Sequence, residues 1–117
     1  MSHSALREKS KQLAKRIIAI CDEIDNTKSR AVLVNQIIKS STSIGANIHE
    51  ANYAASKADF INKLQISLKE CFETEYWVEM LQETQTISED DAKSLLNDCG
   101  TIRRMLIKSI TTAKQSD

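Results

Sequence analysis

The chain has 117 residues, of which 41% are hydrophobic and 27% are charged, and its 16 basic and 16 acidic residues cancel. This composition is typical of a soluble globular domain and excludes a disordered chain. Proline is absent and glycine occurs twice, which argues against an all-β fold because such folds need many turns. No apolar run reaches the ~18 residues of a membrane span, and the first residues lack a signal-peptide pattern. We expect one cytoplasmic domain over residues 1–117, with no membrane partner.

Four helices are predicted in chain order. The first runs from about Ser4 to Asp25 and the second from about Arg30 to Ala54. The third follows Ser56 and the fourth follows Ser88, because each of these serines precedes an acidic residue by three positions, which is a capping-box pattern. Short polar connections separate the four stretches and leave no room for a long crossover.

Each predicted helix carries apolar or small residues at steps of mostly three and four, the spacing of a coiled-coil-like seam. In chain order the four seams are Leu6, Leu13, Ile17, Ile20 and Ile24; Val34, Ile37, Ser41, Ile44, Ile48 and Ala51; Phe60, Leu64, Ser67, Cys71, Thr74, Val78 and Leu81; and Ala92, Leu95, Cys99, Ile102, Leu106, Ser109 and Ala113. The sequence therefore predicts an all-α fold, an antiparallel up-down-up-down four-helix bundle.

The sequence contains few residues of the types that commonly act in catalysis or metal binding. Cys21, Cys71 and Cys99 are widely spaced and form no C-x-x-C pair, so we interpret them as buried thiols in a reducing compartment. His49 and Glu50 begin a zinc-protease-like pattern, but Tyr53 stands where the second histidine ligand is needed. We therefore expect no catalytic, metal or cofactor site and no small-molecule substrate.

A polar stripe marks the second helix. Ser40, Ser43, Asn47 and Glu50 step by three, four and three beside the apolar seam. Two interpretations stay open: the groups satisfy one another and nearby backbone at a tight helix crossing, or they line a polar groove for a ligand. On the first interpretation, Asn47 should be buried and bonded to a carboxylate of the third helix, namely Glu70 or Glu73.

The same region resembles a known family. The matching positions on the second helix are Ser40, Ser43, Ile44, Gly45, Asn47, Ile48 and Glu50, and they are followed by a polar turn with Phe60 and by a helix that carries Glu70 and Glu73. This pattern is similar to that of the bacterial four-helix-bundle proteins called 23S rRNA intervening-sequence proteins. The family usually has Gly after the last Glu of the motif, whereas this chain has Ala51.

The resemblance implies a four-helix bundle and, as in some members, a pentameric ring. A more distant resemblance is to the accessory variability protein of diversity-generating retroelements, a basic pentamer that works with a reverse transcriptase and its nucleic acids. That second resemblance implies a nucleic-acid partner, RNA or DNA.

The neutral net charge hides a sorted distribution. Residues 1–16 and 101–117 hold nine basic and two acidic residues, net +7, and an antiparallel bundle places them at one end. Residues 71–100 hold eight acidic residues and one lysine, net −7. Such a basic end is either a solvated, dipole-complementing surface or a weak contact site for phosphate backbones. The candidate nucleic-acid contacts are Arg7, Lys11, Lys15, Arg103, Arg104 and Lys108.

The third helix also has apolar residues outside its seam. Ile66, Trp77 and Met80 share a stripe, which either broadens the core or contacts a second copy. We therefore expect a non-catalytic bundle that forms a homo-oligomer, with a nucleic-acid-associated accessory factor as the alternative.

Overall fold

The computed structural model describes residues 2–25 and 27–116. Within them it contains four α-helices, α1 (Ser2–Asp22), α2 (Lys28–Ala51), α3 (Lys57–Glu83) and α4 (Glu89–Gln115). The predicted four-helix architecture is confirmed. The first two helices each end about one turn earlier than their polar boundaries suggested.

The last three helices are each capped at the N-terminus by a side-chain hydroxyl group. Thr27, Ser56 and Ser88 each accept a hydrogen bond from the backbone N–H three residues further along, which satisfies one of the free amides of the first turn. The carboxylate of Asp59 also bonds backward, to the N–H of Ala55 at 3.2 Å. Two side-chain hydrogen bonds, one from the cap into the helix and one from the helix back to the preceding residue, therefore fix the start of α3.

The helices form an elongated bundle, 50 × 22 × 18 Å. α2 and α3 share the most extensive interface, and among the described residues α1 and α3 each lie beside α2 and α4. This arrangement places α1 and α3 on a diagonal of the bundle. α1 and α4 share the smallest interface, and α1 has the smallest combined interface with its two neighbouring helices.

The core follows the predicted seams along most of their length. On α3, six seam residues from Leu64 to Leu81 are buried, and on α2 burial runs from Ile37 to Ala51. On α4 the seam prediction is wrong at its last turns, since Ile110 is buried and Ser109 is only half-buried. A straight helix drifts about 20° per heptad from a strict 3.5-residue repeat, and the drift brings the larger apolar side chain inward.

Candidate functional site

The polar stripe of α2 faces α3 over part of its length. Thr74 donates its hydroxyl hydrogen to Ser40 Oγ at 2.8 Å, and Ser40 donates to the carbonyl of Ile37. Ser67, also fully buried, donates to the carbonyl of Ile44 at 2.8 Å. These bonds join the two helices at a crossing where small side chains let the backbones approach. These bonds favour the interpretation in which Ser40 is satisfied at a tight helix crossing over the one in which it lines a ligand groove.

Asn47 does not follow its predicted pairing. It is half-buried, and its amide donates to the carbonyl and the hydroxyl of Ser43, at 2.9 and 3.1 Å, on the same helix. The expected bond to Glu70 or Glu73 is therefore wrong. The reason is geometric, since an asparagine four residues after a serine reaches back along its own helix.

This local pairing makes Asn47 replaceable. We predict that Asn47→Leu changes the free energy of unfolding by no more than about 0.5 kcal/mol, because no buried partner loses its bond. Thr74→Val, which removes the donor to buried Ser40, should cost about 1 kcal/mol. Urea unfolding of both variants compares them, and a larger loss for the Asn47 variant would contradict this ranking.

The three glutamates of the motif have different surroundings. Glu50 is exposed and pairs with Lys63 at 2.9 Å, which raises the pKa of that lysine. Glu70 is half-buried, and burial, followed by the charge of Glu73, raises its pKa. Glu73 is exposed and accepts a hydrogen bond from Trp77 Nε1 at 3.3 Å. Glu50 is thus paired with a lysine at the surface, whereas Glu70 and Glu73 lie close enough on α3 for the charge of one to affect the other.

The three cysteines are buried thiols, as predicted. Burial raises the pKa of Cys21 to about 11. The pKa of Cys99 is also raised, by hydrogen bonding to Cys71 and by burial, and Cys71 donates to the Cys99 carbonyl at 3.3 Å. Thiolates are disfavoured at both positions, so neither resembles a reactive cysteine. Across the described residues, no cluster of potential ligands could hold a metal ion.

The candidate nucleic-acid contacts lie on two helices, three on α4 and three on α1. Arg103 pairs with Glu75 at 3.1 Å and lies 5.6 Å from the centre of the Phe72 ring, so its charge is largely used within the bundle. Arg104 and Lys108 are exposed on α4. The other three candidates, Arg7, Lys11 and Lys15, lie together on α1 along a groove.

This groove runs between α1 and α2 and has a volume of about 390 Å³. The three basic residues line it together with His49, and its remaining lining is made of small or apolar side chains, Ser10, Ala14, Ile18, Thr42, Gly45 and Ala46. We call it the α1–α2 groove. Sequence reasoning identified its charges but missed the depression, because the two stretches are about 30 residues apart and only the fold aligns them. The feature of the sequence that could have indicated the groove is the presence of small residues on both helices.

The α3 residues proposed as oligomer contacts are less exposed than their neighbours. Ile66, Trp77 and Met80 are half-buried, and Trp77 packs against the core. Phe72 and Tyr76 are 51% and 53% exposed. We call these two rings the α3 ridge. Phe72 escaped sequence reasoning because it lies one position beyond the seam residue Cys71.

Comparison with known proteins identifies the family. The model of the 23S rRNA-intervening sequence protein family matches residues 3–108. The chain belongs to that family. The resemblance seen between Ser40 and Glu50 is thereby confirmed, and the motif of the 23S rRNA-intervening sequence proteins lies here on α2, where Ser40 bonds to α3 and Gly45 lies against α1.

A solved structure also resembles this family member. It is the 1.70 Å crystal structure of a protein of unknown function, from the S23 ribosomal protein family, of Bacteroides thetaiotaomicron. The two chains are 44% identical with a TM-score of 0.89, over 95% of this chain and 99% of the other. No curated protein matches the chain. In the described residues, no helix is both long and apolar enough to cross a membrane.

Proposed function

We propose that this protein is a non-catalytic helical bundle that acts in the cytoplasm by assembling with copies of itself into a homo-oligomer, a pentameric ring. The observation that supports self-assembly most directly is the α3 ridge, where two aromatic rings are about half exposed on a helix whose other face fills the core. Exposed aromatic side chains are enriched at protein interfaces. Ile66, Trp77 and Met80 flank this ridge and remain the proposed contact residues beside it.

Three features support a non-catalytic role. Glu50 is held in an ion pair with Lys63, the thiols are buried with raised pKa values at Cys21 and Cys99, and the described residues hold no metal-ligand cluster. A nucleophile adjacent to a base, or an open metal site, is what enzymatic chemistry of the common kinds needs.

Light scattering over a concentration series tests the oligomer. The protomer mass is 13.2 kDa, so a ring of five gives a mass five times larger that stays constant on moderate dilution. A mass equal to one protomer at every concentration would overturn self-assembly. A constant mass of two to four protomers would contradict the pentamer but would still support a homo-oligomer.

A second proposal is a nucleic-acid-associated accessory role. It is favoured by the position of Lys11 and Lys15, which are exposed and take part in no ion pair among the described residues, while Arg7 continues the same line. Phosphate contacts from such side chains give weak, sequence-independent binding that weakens steeply as the salt concentration rises.

Filter binding of labelled RNA and duplex DNA tests this role. Replacing Arg7, Lys11 and Lys15 together by Gln should weaken binding and flatten the salt dependence by roughly one unit of slope for each phosphate group that the variant no longer neutralises. The control replaces the exposed residues Lys28 and Lys39, in the first half of α2, by Gln. This change should leave the binding affinity and its salt dependence unchanged. Absence of binding at low salt would eliminate the nucleic-acid role.

A further inference from the structure

We propose that the α1–α2 groove receives the α3 ridge of a second copy of this chain. The inference rests on the proposed self-assembly and names the two surfaces that meet. The contact joins two different surfaces, and we infer a head-to-tail arrangement in which each copy uses its groove for one neighbour and its ridge for the other.

The groove has the shape and chemistry to take large rings. Its lining includes Ala14, Gly45 and Ala46, which present no bulk and leave the space that an aromatic side chain fills. Ile18, 37% exposed, lies at one end and provides an apolar wall. The basic residues along the edge favour an occupant with acidic flanks.

The ridge supplies these complementary features. Phe72 and Tyr76 are one turn apart, and the exposed carboxylates of Glu73 and Glu79 flank them. Neither carboxylate takes part in an ion pair within the described residues. The contact therefore brings carboxylates without an ion-pair partner to Lys11 and Lys15, which also lack one among the described residues, and this favours the docking over a ridge-to-ridge contact.

The rings of the ridge are already held in position. The Tyr76 ring stands edge-on to Trp77 with ring centres 4.9 Å apart, and Trp77 is fixed against the core. The Arg103 guanidinium lies over the Phe72 ring. Rings held in this way lose little conformational entropy on docking.

The groove and the ridge lie at neighbouring heights along the bundle. The bond between Thr74, which stands between the two rings of the ridge, and Ser40 marks the height of the ridge on α2. The α2 residues that line the groove run from Thr42 to His49. At 1.5 Å per residue, the groove begins about 3 Å beyond that height and its centre lies about 8 Å beyond it. Copies whose bundle axes are inclined to each other can compensate for this offset, and a head-to-tail contact forms a ring when the rotation between copies closes.

Surface-specific variants test the contact in the full-length chain. Ala46→Trp fills the groove at an exposed position, and Phe72→Ser with Tyr76→Ser removes the ridge. Each is expected to raise the dissociation constant by about tenfold or more, as read by light scattering on dilution. The matched controls are Ala58→Trp and Val32→Ser, at exposed positions outside both surfaces, and they should leave the mass unchanged. Circular dichroism confirms that every variant retains its helices.

Mixing the two defective proteins gives the decisive result. The groove-filled copy keeps its ridge and the ridge-less copy keeps its groove, so together they should form a one-to-one dimer that neither forms alone. A mixture that stays monomeric while the wild type assembles would overturn the groove–ridge contact and leave self-assembly intact. A monomeric wild type would overturn both proposals.

Charge reversal gives an independent test with the same readout. Lys15→Glu should weaken assembly, and Glu73→Lys in the same chain should restore part of it. If Lys15→Glu abolishes RNA binding in the filter assay and leaves the mass unchanged, the groove serves nucleic acid and the contact between copies is overturned.

Discussion

Replacing Leu13 by Ala is expected to lower the free energy of unfolding by about 2–5 kcal/mol, the usual cost of a cavity left by a buried leucine. Leu13 is 2% exposed and lies in the middle of α1. Neighbouring helices are poorly placed to close the cavity, because α1 shares the smallest interface with α4 and has a groove along its edge with α2.

The loss should be concentrated in α1. Hydrogen exchange measures local opening, and amides of α1 are expected to lose more protection in the Leu13 variant than amides of α3, whose interfaces with α2 and α4 are both larger than those of α1. Exposed Lys9→Ala, one turn earlier, is the control and should change the unfolding free energy by less than about 0.5 kcal/mol. Equal loss of protection in all four helices would show that α1 opens only with the whole bundle.

The fold could be predicted from the sequence because its seams are regular. Alternating steps of three and four place the core residues of α2 and α3 without knowledge of any partner helix, and Ser56 and Ser88 mark the starts of α3 and α4 through their own side chains. The exchange of Ser109 for Ile110 shows the limit of this reasoning. A strict heptad extended along a 27-residue helix accumulates drift, and burial of the larger side chain decides the final register.

The candidate site was less predictable because it depends on the alignment of separate helices. The charges of Arg7, Lys11 and Lys15 are visible in the sequence, but their position beside the small residues of α2 depends on how α1 is aligned along that helix. Asn47 shows a similar limit. Its residue type indicated a buried network, yet the serine four positions earlier provides a nearer partner than any carboxylate of α3.

Gly45→Leu is expected to destabilise the fold by about 1–3 kcal/mol, as overpacking usually does. A Cβ atom at Gly45 would lie 3.2 Å from Ser10 Oγ, and Ser10 is fully buried and bonded to the carbonyl of Arg7. The hydroxyl therefore has little freedom to move, and a leucine must push α1 away from α2. The better helix propensity of leucine offsets only part of this cost, up to ~0.8 kcal/mol.

A second substitution on the facing helix identifies the cause. Ser10→Gly removes the atoms that a side chain at position 45 would meet, so the double variant should recover stability beyond what the two single changes predict by addition. Gly100→Ala is the comparison, because its Cβ would meet the flexible guanidinium ends of Arg103 and Arg104, at 3.5 and 3.3 Å. That change should stabilise the helix by up to ~1 kcal/mol. Additive effects at positions 10 and 45 in urea unfolding would contradict a close approach of α1 and α2 at Gly45.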